Sequence, residues 1–325
     1  MILVIGQNLA WQKACTVAAV ARGEVNRILA IREFASSKGP NVARALRALG
    51  GTGEVIFYAG GTTGRRAVDY LTEEGIRCRP VQIQAETRTC TTLLEPDGTA
   101  TEVIEPSPRV TPVERDELRR AAEAGIPGCR LLSIMGTAVL GESEDCYAVH
   151  VRAARKRNIP VLVDSVSPEA LRALQEAPEI LKINSRELGS LTGAPTRTPG
   201  ERVAACRGLA ARFGIRWFII TMGAAGVEAY DGRILLHAAP PKIDAVNAIG
   251  SGDAVAAGVG WVLHETLANQ EMARAFSSGE LLREALLTGA AMGTANCMNP
   301  INGKVDPADY RAVREKTVMT EIPVS

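Results

Sequence analysis

No stretch of this chain approaches the about 18 consecutive apolar residues that a membrane-spanning helix needs. It has little excess charge of either sign: 37 Lys and Arg against 36 Asp and Glu, a formal net charge of +1. That balance leaves no electrostatic case for nucleic acid or an anionic membrane surface. The seven cysteines (Cys15, Cys78, Cys90, Cys129, Cys146, Cys206 and Cys297) include no C-x-x-C pair. An odd, unpatterned set points to reduced thiols in the cytoplasm rather than disulfides or a zinc site. Histidine is scarce, and His150, His237 and His264 show no ligand spacing. The start, Met1-Ile-Leu-Val-Ile-Gly6, has no basic leader and breaks at Gln7, so it reads as a first strand and not a signal peptide. Repeats, low-complexity tracts and long linkers are absent. The expectation is a soluble intracellular protein.

Missing motifs narrow the chemistry. There is no G-x-x-x-x-G-K-[ST], which excludes the P-loop class, and no kinase-type His-Arg-Asp or Asp-Phe-Gly. No G-x-G-x-x-G follows the first strand, against a dinucleotide-binding domain. A serine hydrolase would need a G-x-S-x-G elbow, and Gly250-Ser-Gly252 lacks the intervening residue.

What is present is a chain of 325 residues with ordinary globular composition, 46% hydrophobic and 22% charged. Short uncharged runs at Ile2–Ile5, Val55–Tyr58, Leu131–Met135, Val161–Val163 and Trp217–Thr221 predict buried strands. Amphipathic stretches at Asn41–Leu49, Arg65–Glu74, Val113–Ala124, Glu144–Arg157 and Glu201–Phe213 predict helices between them. The pattern implies an α/β fold, a doubly wound and mostly parallel sheet with helices on both faces. Two segments break the rhythm. Ala14–Phe34 alternates polar and apolar residues around Arg22-Gly23, and Thr87–Glu105 does so around Pro96-Asp97-Gly98. They predict a small antiparallel sheet over 14–34 and 87–105, inserted into a main domain of 1–13, 35–86 and 106–325.

The most informative stretch is Asp244–Gly258. Gly250, Ser251 and Gly252 permit a tight turn, and a small-residue helix opens at Ala254. Free amides at a helix start cradle anions. Asp253 in that cradle is electrostatically awkward unless it takes a proton from a hydroxyl attacking a phosphate; alternatively it is an N-capping residue of a core helix. Met222-Gly-Ala-Ala-Gly226 follows a strand, at the sheet end where ligands bind, or is an ordinary hairpin turn. Asn184 and Glu187 stand three apart at a helix start. They could order the waters of Mg²⁺ or form a capping box.

Taken in order, Lys38-Gly-Pro-Asn-Val-Ala-Arg44, Lys182-Ile-Asn-Ser-Arg-Glu-Leu188, Thr221-Met-Gly-Ala-Ala-Gly226 and Asn247-Ala-Ile-Gly-Ser-Gly-Asp253 resemble the PfkB/ribokinase family of sugar kinases. Asn247, Thr87-Arg88-Thr89 and Thr101-Glu102 are more similar to its 1-phosphofructokinase and tagatose-6-phosphate kinase branch. The resemblance covers nearly the whole chain. It implies a Rossmann-like domain with a β-sheet lid, often dimeric through the lids, and ATP with Mg²⁺ as cofactors. It implies Asp253 as catalytic base and Gly250, Ser251 and Gly252 as an anion hole. It puts Asn184, Glu187, Thr221, Gly223, Gly226 and Asn247 on the nucleotide and metal side, with Glu187 acting on the metal through water. Gln12, Lys38, Gly39, Asn41 and Arg88 match positions that contact the sugar or sugar phosphate.

The departures fall on the acceptor side. The branch's Asn-Pro-Ala-x-Asp reads Asn8-Leu-Ala-Trp-Gln12, its Gly-Gly reads Ser36-Ser37, and its Ser-Gly-Ser-x-Pro reads Met135-Gly-Thr-Ala-Val139. The Pro of Lys-Pro-Asn is Ile183. An amide at position 12 both donates and accepts, unlike the carboxylate it replaces. Added hydroxymethyl groups at 36 and 37 should restrict a ligand's approach to the backbone. The expected activity is phosphoryl transfer from ATP to a sugar, sugar phosphate or related polyol, the acceptor altered. A nucleoside kinase of the same family and a catalytically idle sugar-phosphate sensor are the alternatives.

Overall fold

A computed structural model describes residues 1–324. The strands are β1 Ile2–Asn8, β2 Ala10–Val17, β3 Ile28–Ser36, β4 Gly53–Gly60, β5 Arg77–Ile83, β6 Arg88–Leu94, β7 Ala100–Ile104 and β8 Leu131–Met135. They continue with β9 Val161–Asp164, β10 Ile180–Asn184, β11 Trp217–Thr221, β12 Val227–Tyr230, β13 Leu235–Ala239 and β14 Val318–Ile322. The helices are α1 Lys38–Ala48, α2 Gly61–Glu73, α3 Pro112–Gly125, α4 Ala148–Arg155, α5 Pro168–Leu174 and α6 Ser185–Thr192. The remainder are α7 Pro199–Phe213, α8 Ser251–Thr266, α9 Met272–Ala275, α10 Gly279–Cys297 and α11 Pro307–Lys316.

Ten strands form one sheet in the order β14-β13-β12-β11-β10-β9-β8-β1-β4-β5. From β5 to β11 every pairing is parallel, and β12 to β14 add an antiparallel edge. Residues on opposite pleats of β1 feed two different cores. Ile2 and Val4 join a cluster with Val255, Val259 and Leu286, while Leu3 and Ile5 join one with Leu118, Val151 and Leu174. A strand buried on both faces must be apolar throughout. That is why all five strands expected from uncharged runs occur where those runs lie.

β10 is a strand that the apolar reading passed over, because Lys182 interrupts Ile180-Leu181-Ile183. The helix expected over Glu144–Arg157 begins only at Ala148. Ahead of it the chain makes turns, held where the Tyr58 hydroxyl donates to the Glu142 carboxylate at 2.6 Å.

A separate four-stranded sheet has the order β3-β2-β6-β7. β2–β3 and β6–β7 are antiparallel pairs, joined side by side through the parallel β2–β6 pairing. The Pro96-Asp97-Gly98 turn closes the second pair, with the Thr99 amide donating to Asp97 Oδ1 at 2.8 Å. Its strands reach further than the alternating segments, since β2 begins at Ala10 and β3 ends at Ser36. Among the described residues no helix is long and apolar enough to cross a membrane.

Candidate active site

A cleft of about 570 Å³ lies at the carboxyl ends of the parallel strands, under the small sheet. Open α/β sheets bind ligands at this end. Asn8, Met135, Asn184 and Thr221 reach it from strand ends, α1 and α8 start at it, and Arg88 and Cys90 face it from β6.

The start of α8 is uncapped. Gly250 is its N-cap at φ 85, a left-handed conformation that glycine adopts at little cost, and no side chain bonds to the first turn. The leading amides of a helix have no intrahelical partner; Ser251's donates to Ala248 O at 3.3 Å, and those of Gly252 and Asp253 could meet an anion in the cleft. Asp253, on that first turn, is 6% exposed, and its Oδ2 accepts from Asn41 Nδ2 at 2.8 Å. Burial pushes its pKa up to about 6, with nearby Asp164 adding to the rise and Lys38, Lys182 and the Asn41 bond opposing it.

Beneath the anion cradle two ammonium groups share one buried carboxylate. Lys38 Nζ donates to Asp164 Oδ1 at 2.7 Å, and Lys182 Nζ donates to Asp164 Oδ2 at 2.9 Å. Burial raises the Asp164 pKa, but the two lysines more than reverse this and hold it below the ordinary carboxylate value. Burial also works against the Lys38 charge, and Asp164 and Asp253 outweigh it, holding the ammonium above its usual pKa. A Cβ on Gly252 would stand 2.6 Å from Lys182 Nζ, so this ammonium lies directly against the first turn of α8. Asp164 and Asp253 together balance the two lysines, which keeps both ammonium groups charged beside a helix start, and such groups attract phosphate.

Of the residues singled out in the sequence, the cleft brings together Gln12, Lys38, Asn41, Arg88, Asn184, Glu187, Thr221, Gly250, Ser251, Gly252 and Asp253. Gly39, Gly223, Gly226 and Asn247 do not line it. Gly39 is pressed against Gly6, whose added Cβ would meet Gly39 Cα at 2.7 Å. Gly226 serves the β11–β12 turn, where a Cβ would meet Ala238 O at 2.2 Å. Asn247 is buried, donating to Pro300 O at 3.1 Å and to Asn302 Oδ1 at 2.9 Å. The capping box at α6 is formed, with Asn184 Oδ1 accepting from the Glu187 amide at 2.8 Å and Glu187 Oε2 from the Asn184 amide at 3.0 Å. Both side chains still line the cleft.

On the small sheet Gln12 Nε2 of β2 donates to Thr92 Oγ1 of β6 at 2.8 Å. Asn8 Oδ1, Ser37 Oγ and Arg88 Nε are buried atoms without a hydrogen-bond partner, all belonging to residues around the cleft. Ser37 holds φ 155 and ψ 174, a region that residues other than glycine rarely enter. The two serines therefore differ. Ser37 adds an unpaired hydroxyl beside the cleft, whereas the Ser36 hydroxyl is committed to Asn41 and Asn302. Sequence reasoning missed Asp164, Lys182 and Asn302 as site residues. A carboxylate ending the apolar strand Val161-Leu-Val-Asp164 was a usable signal, as was a lysine within β10. Nothing local marks Asn302.

A profile of the pfkB family carbohydrate kinases matches residues 2–299. Among solved structures, phosphofructokinase-2 from Escherichia coli superposes with a TM-score of 0.81 at 22% identity, over 97% of this chain and 98% of that one. A Thermotoga maritima protein described as a possible 1-phosphofructokinase gives 0.82 at 18% identity, over 99% of each chain. A carbohydrate kinase from Agrobacterium tumefaciens gives 0.68 at 23% identity, over 98% and 99%. At these identities the structures show a common fold.

Proposed function

The chain belongs to the pfkB family of carbohydrate kinases, and from that premise we propose that it transfers the terminal phosphoryl group of ATP to a hydroxyl of a sugar phosphate, with Asp253 as base and Mg²⁺ as the metal. The observation that carries this reading is the buried carboxylate of Asp253, set on the uncapped first turn of α8 beside two ammonium groups. With its pKa at about 6 it is ionised at neutral pH, yet basic enough to receive a proton as the hydroxyl attacks. In this reading the α8 amides and Lys182 meet charge growing on the transferred phosphoryl group.

Bound Mg²⁺ would neutralise phosphate oxygens, and this ion characteristically keeps most of its waters. Glu187 is the carboxylate suited to order those waters, since only its Oε2 is taken by the Asn184 amide. Thr221 would flank the nucleotide, with Gly223 and Gly226 shaping the turn behind it.

Arg88 is the group proposed for an acceptor phosphate, because its Nε is buried without a partner and a guanidinium grips phosphate well. Lys38 is bound to Asp164 and so belongs to the transfer side. Asn8 Oδ1 and Ser37 Oγ supply further polar atoms that a polyhydroxylated ligand would satisfy. The small sheet acts as the lid, limiting water at the transfer step. Its exposed Ile28, Leu29 and Ile31 on β3 support a homodimer through the lids. The cysteines, all free, fit a cytoplasmic setting.

A coupled assay of ATP consumption against a panel of sugars, sugar phosphates and nucleosides tests the reading. Saturable turnover on a sugar phosphate, lost in Asp253→Asn, is expected. Turnover confined to nucleosides, or none on any acceptor, would count against it.

A further inference from the structure

Resting on Asp253 as the base, we propose that Ser36 is a positioning residue that fixes the amide of Asn41 and, through it, the carboxylate that takes the acceptor's proton. Four consecutive hydrogen bonds run to that carboxylate, all donated in one direction. Asn247 Nδ2 donates to Asn302 Oδ1 at 2.9 Å, and Asn302 Nδ2 donates to Ser36 Oγ at 3.1 Å. Ser36 Oγ then donates to Asn41 Oδ1 at 3.0 Å, and Asn41 Nδ2 donates to Asp253 Oδ2 at 2.8 Å. All five side chains are buried.

The direction is forced from the far end. Asn247 Oδ1 accepts from the Ile249 amide at 3.0 Å, so its NH₂ must face Pro300 O and Asn302. Asn302 thereby receives on oxygen and gives from nitrogen. The Ser36 hydroxyl, having accepted, has a single proton to give, and Asn41 Oδ1 takes it. Arg44 Nη1 also donates to that oxygen at 3.3 Å and to Asn302 O at 2.7 Å, so one guanidinium pins both asparagines. With its oxygen engaged twice, Asn41 must present its NH₂ to Asp253; the flipped amide would set a carbonyl oxygen against a carboxylate. Bonds aligned in this way polarise one another. The loop carrying Asn302 is also fixed against α1, since a Cβ on Gly303 would stand 2.5 Å from Asn41 O. A glycine at position 36 would leave the middle link empty, so the serine is a working part of the site rather than an obstruction.

The charged groups facing Asp253 are Lys38 from α1, Asp164 from β9 and Lys182 from β10. None of them is altered by substitutions at 36 or 302. The Asn41 bond lowers the Asp253 pKa, so loosening it must raise the titration midpoint. The experiment follows the ¹³C signal of the Asp253 carboxyl in full-length protein labelled at aspartate, assigned by its loss in Asp253→Asn. It needs no acceptor. In Ser36→Ala the midpoint should rise by up to about one pH unit, a tenfold change in proton affinity, the ceiling being complete loss of the Asn41 hydrogen bond to the carboxylate. Ser36→Thr, which keeps the hydroxyl, should restore it. Asn302→Ala reaches the same link from the other side and serves if Ser36→Ala does not fold. An unmoved midpoint in either folded alanine variant overturns the proposal, even if melting temperature falls. Undiminished turnover by Asp253→Asn would instead overturn the assignment of the base, which the titration does not test.

Discussion

Asp253→Asn separates what the site does from what it costs the fold. The side chain keeps its size and can still accept from Asn41, but it cannot take a proton. Loss of a general base costs about 10²–10⁴ in rate, so kcat should collapse while ATP still binds. Stability should move the other way. Burial pushes the wild-type carboxyl up to about 6 in the folded protein, above the usual 3.8. The folded protein therefore binds this proton more tightly than the unfolded chain, and stability declines as pH rises from 3.8 to 6. A rise of this size corresponds to about 3 kcal/mol of penalty above pH 6. Asparagine carries no such penalty. The variant should thus be more stable than wild type at pH 7.5 by up to about 3 kcal/mol, and the gain should vanish as pH falls below about 4. Paired urea melts at the two pH values, beside a turnover assay, read both effects. A variant that turns over normally, or is less stable at pH 7.5, would refute the reasoning.

Glu187→Gln keeps an oxygen for the Asn184 amide, so the melting temperature should barely change, while the Mg²⁺ needed for half-maximal activity should rise; an unchanged Mg²⁺ titration would reduce Glu187 to a helix cap. Because Gln12 stands where the branch has a carboxylate, fructose 1-phosphate, fructose 6-phosphate and tagatose 6-phosphate should all show poor kcat/KM. An unmatched polar contact costs about 1–3 kcal/mol, about fivefold to over a hundredfold. Gln12→Asp, alone or with Ser37→Gly, should recover part of that, and efficient wild-type turnover of any of the three would show position 12 to be unimportant for the acceptor. Leu29 is 68% exposed on β3, so Leu29→Glu should yield monomers by sedimentation if the lids pair, and an unaltered sedimentation coefficient would place any dimer contact elsewhere.

The parallel sheet was legible because burial on both faces leaves its own mark: uncharged runs such as Ile2–Ile5 and Trp217–Thr221 have few other places to go. The turn at Gly250 and the helix after it were legible for a local reason too, since small residues with a following carboxylate specify a tight turn and a helix start within one short stretch. Capping residues 184 and 187 likewise act within a single turn of helix. The sequence by itself thus determined the layers of the fold, the end of the sheet where the cleft opens and the carboxylate at α8. What it left undecided depends on residues far apart along the chain. Whether Glu187 caps, faces the cleft or does both follows from where α6 lies against β10 and α7, not from its spacing. That two lysines share Asp164 requires β9, β10 and α1 to converge. That Ser36 points to Asn302 and Asn41, while its neighbour Ser37 is left without a partner, is set by a loop over 260 positions away in sequence. A hydrogen bond's direction depends on which partner each atom meets, and for these buried groups only the tertiary structure supplies the partner.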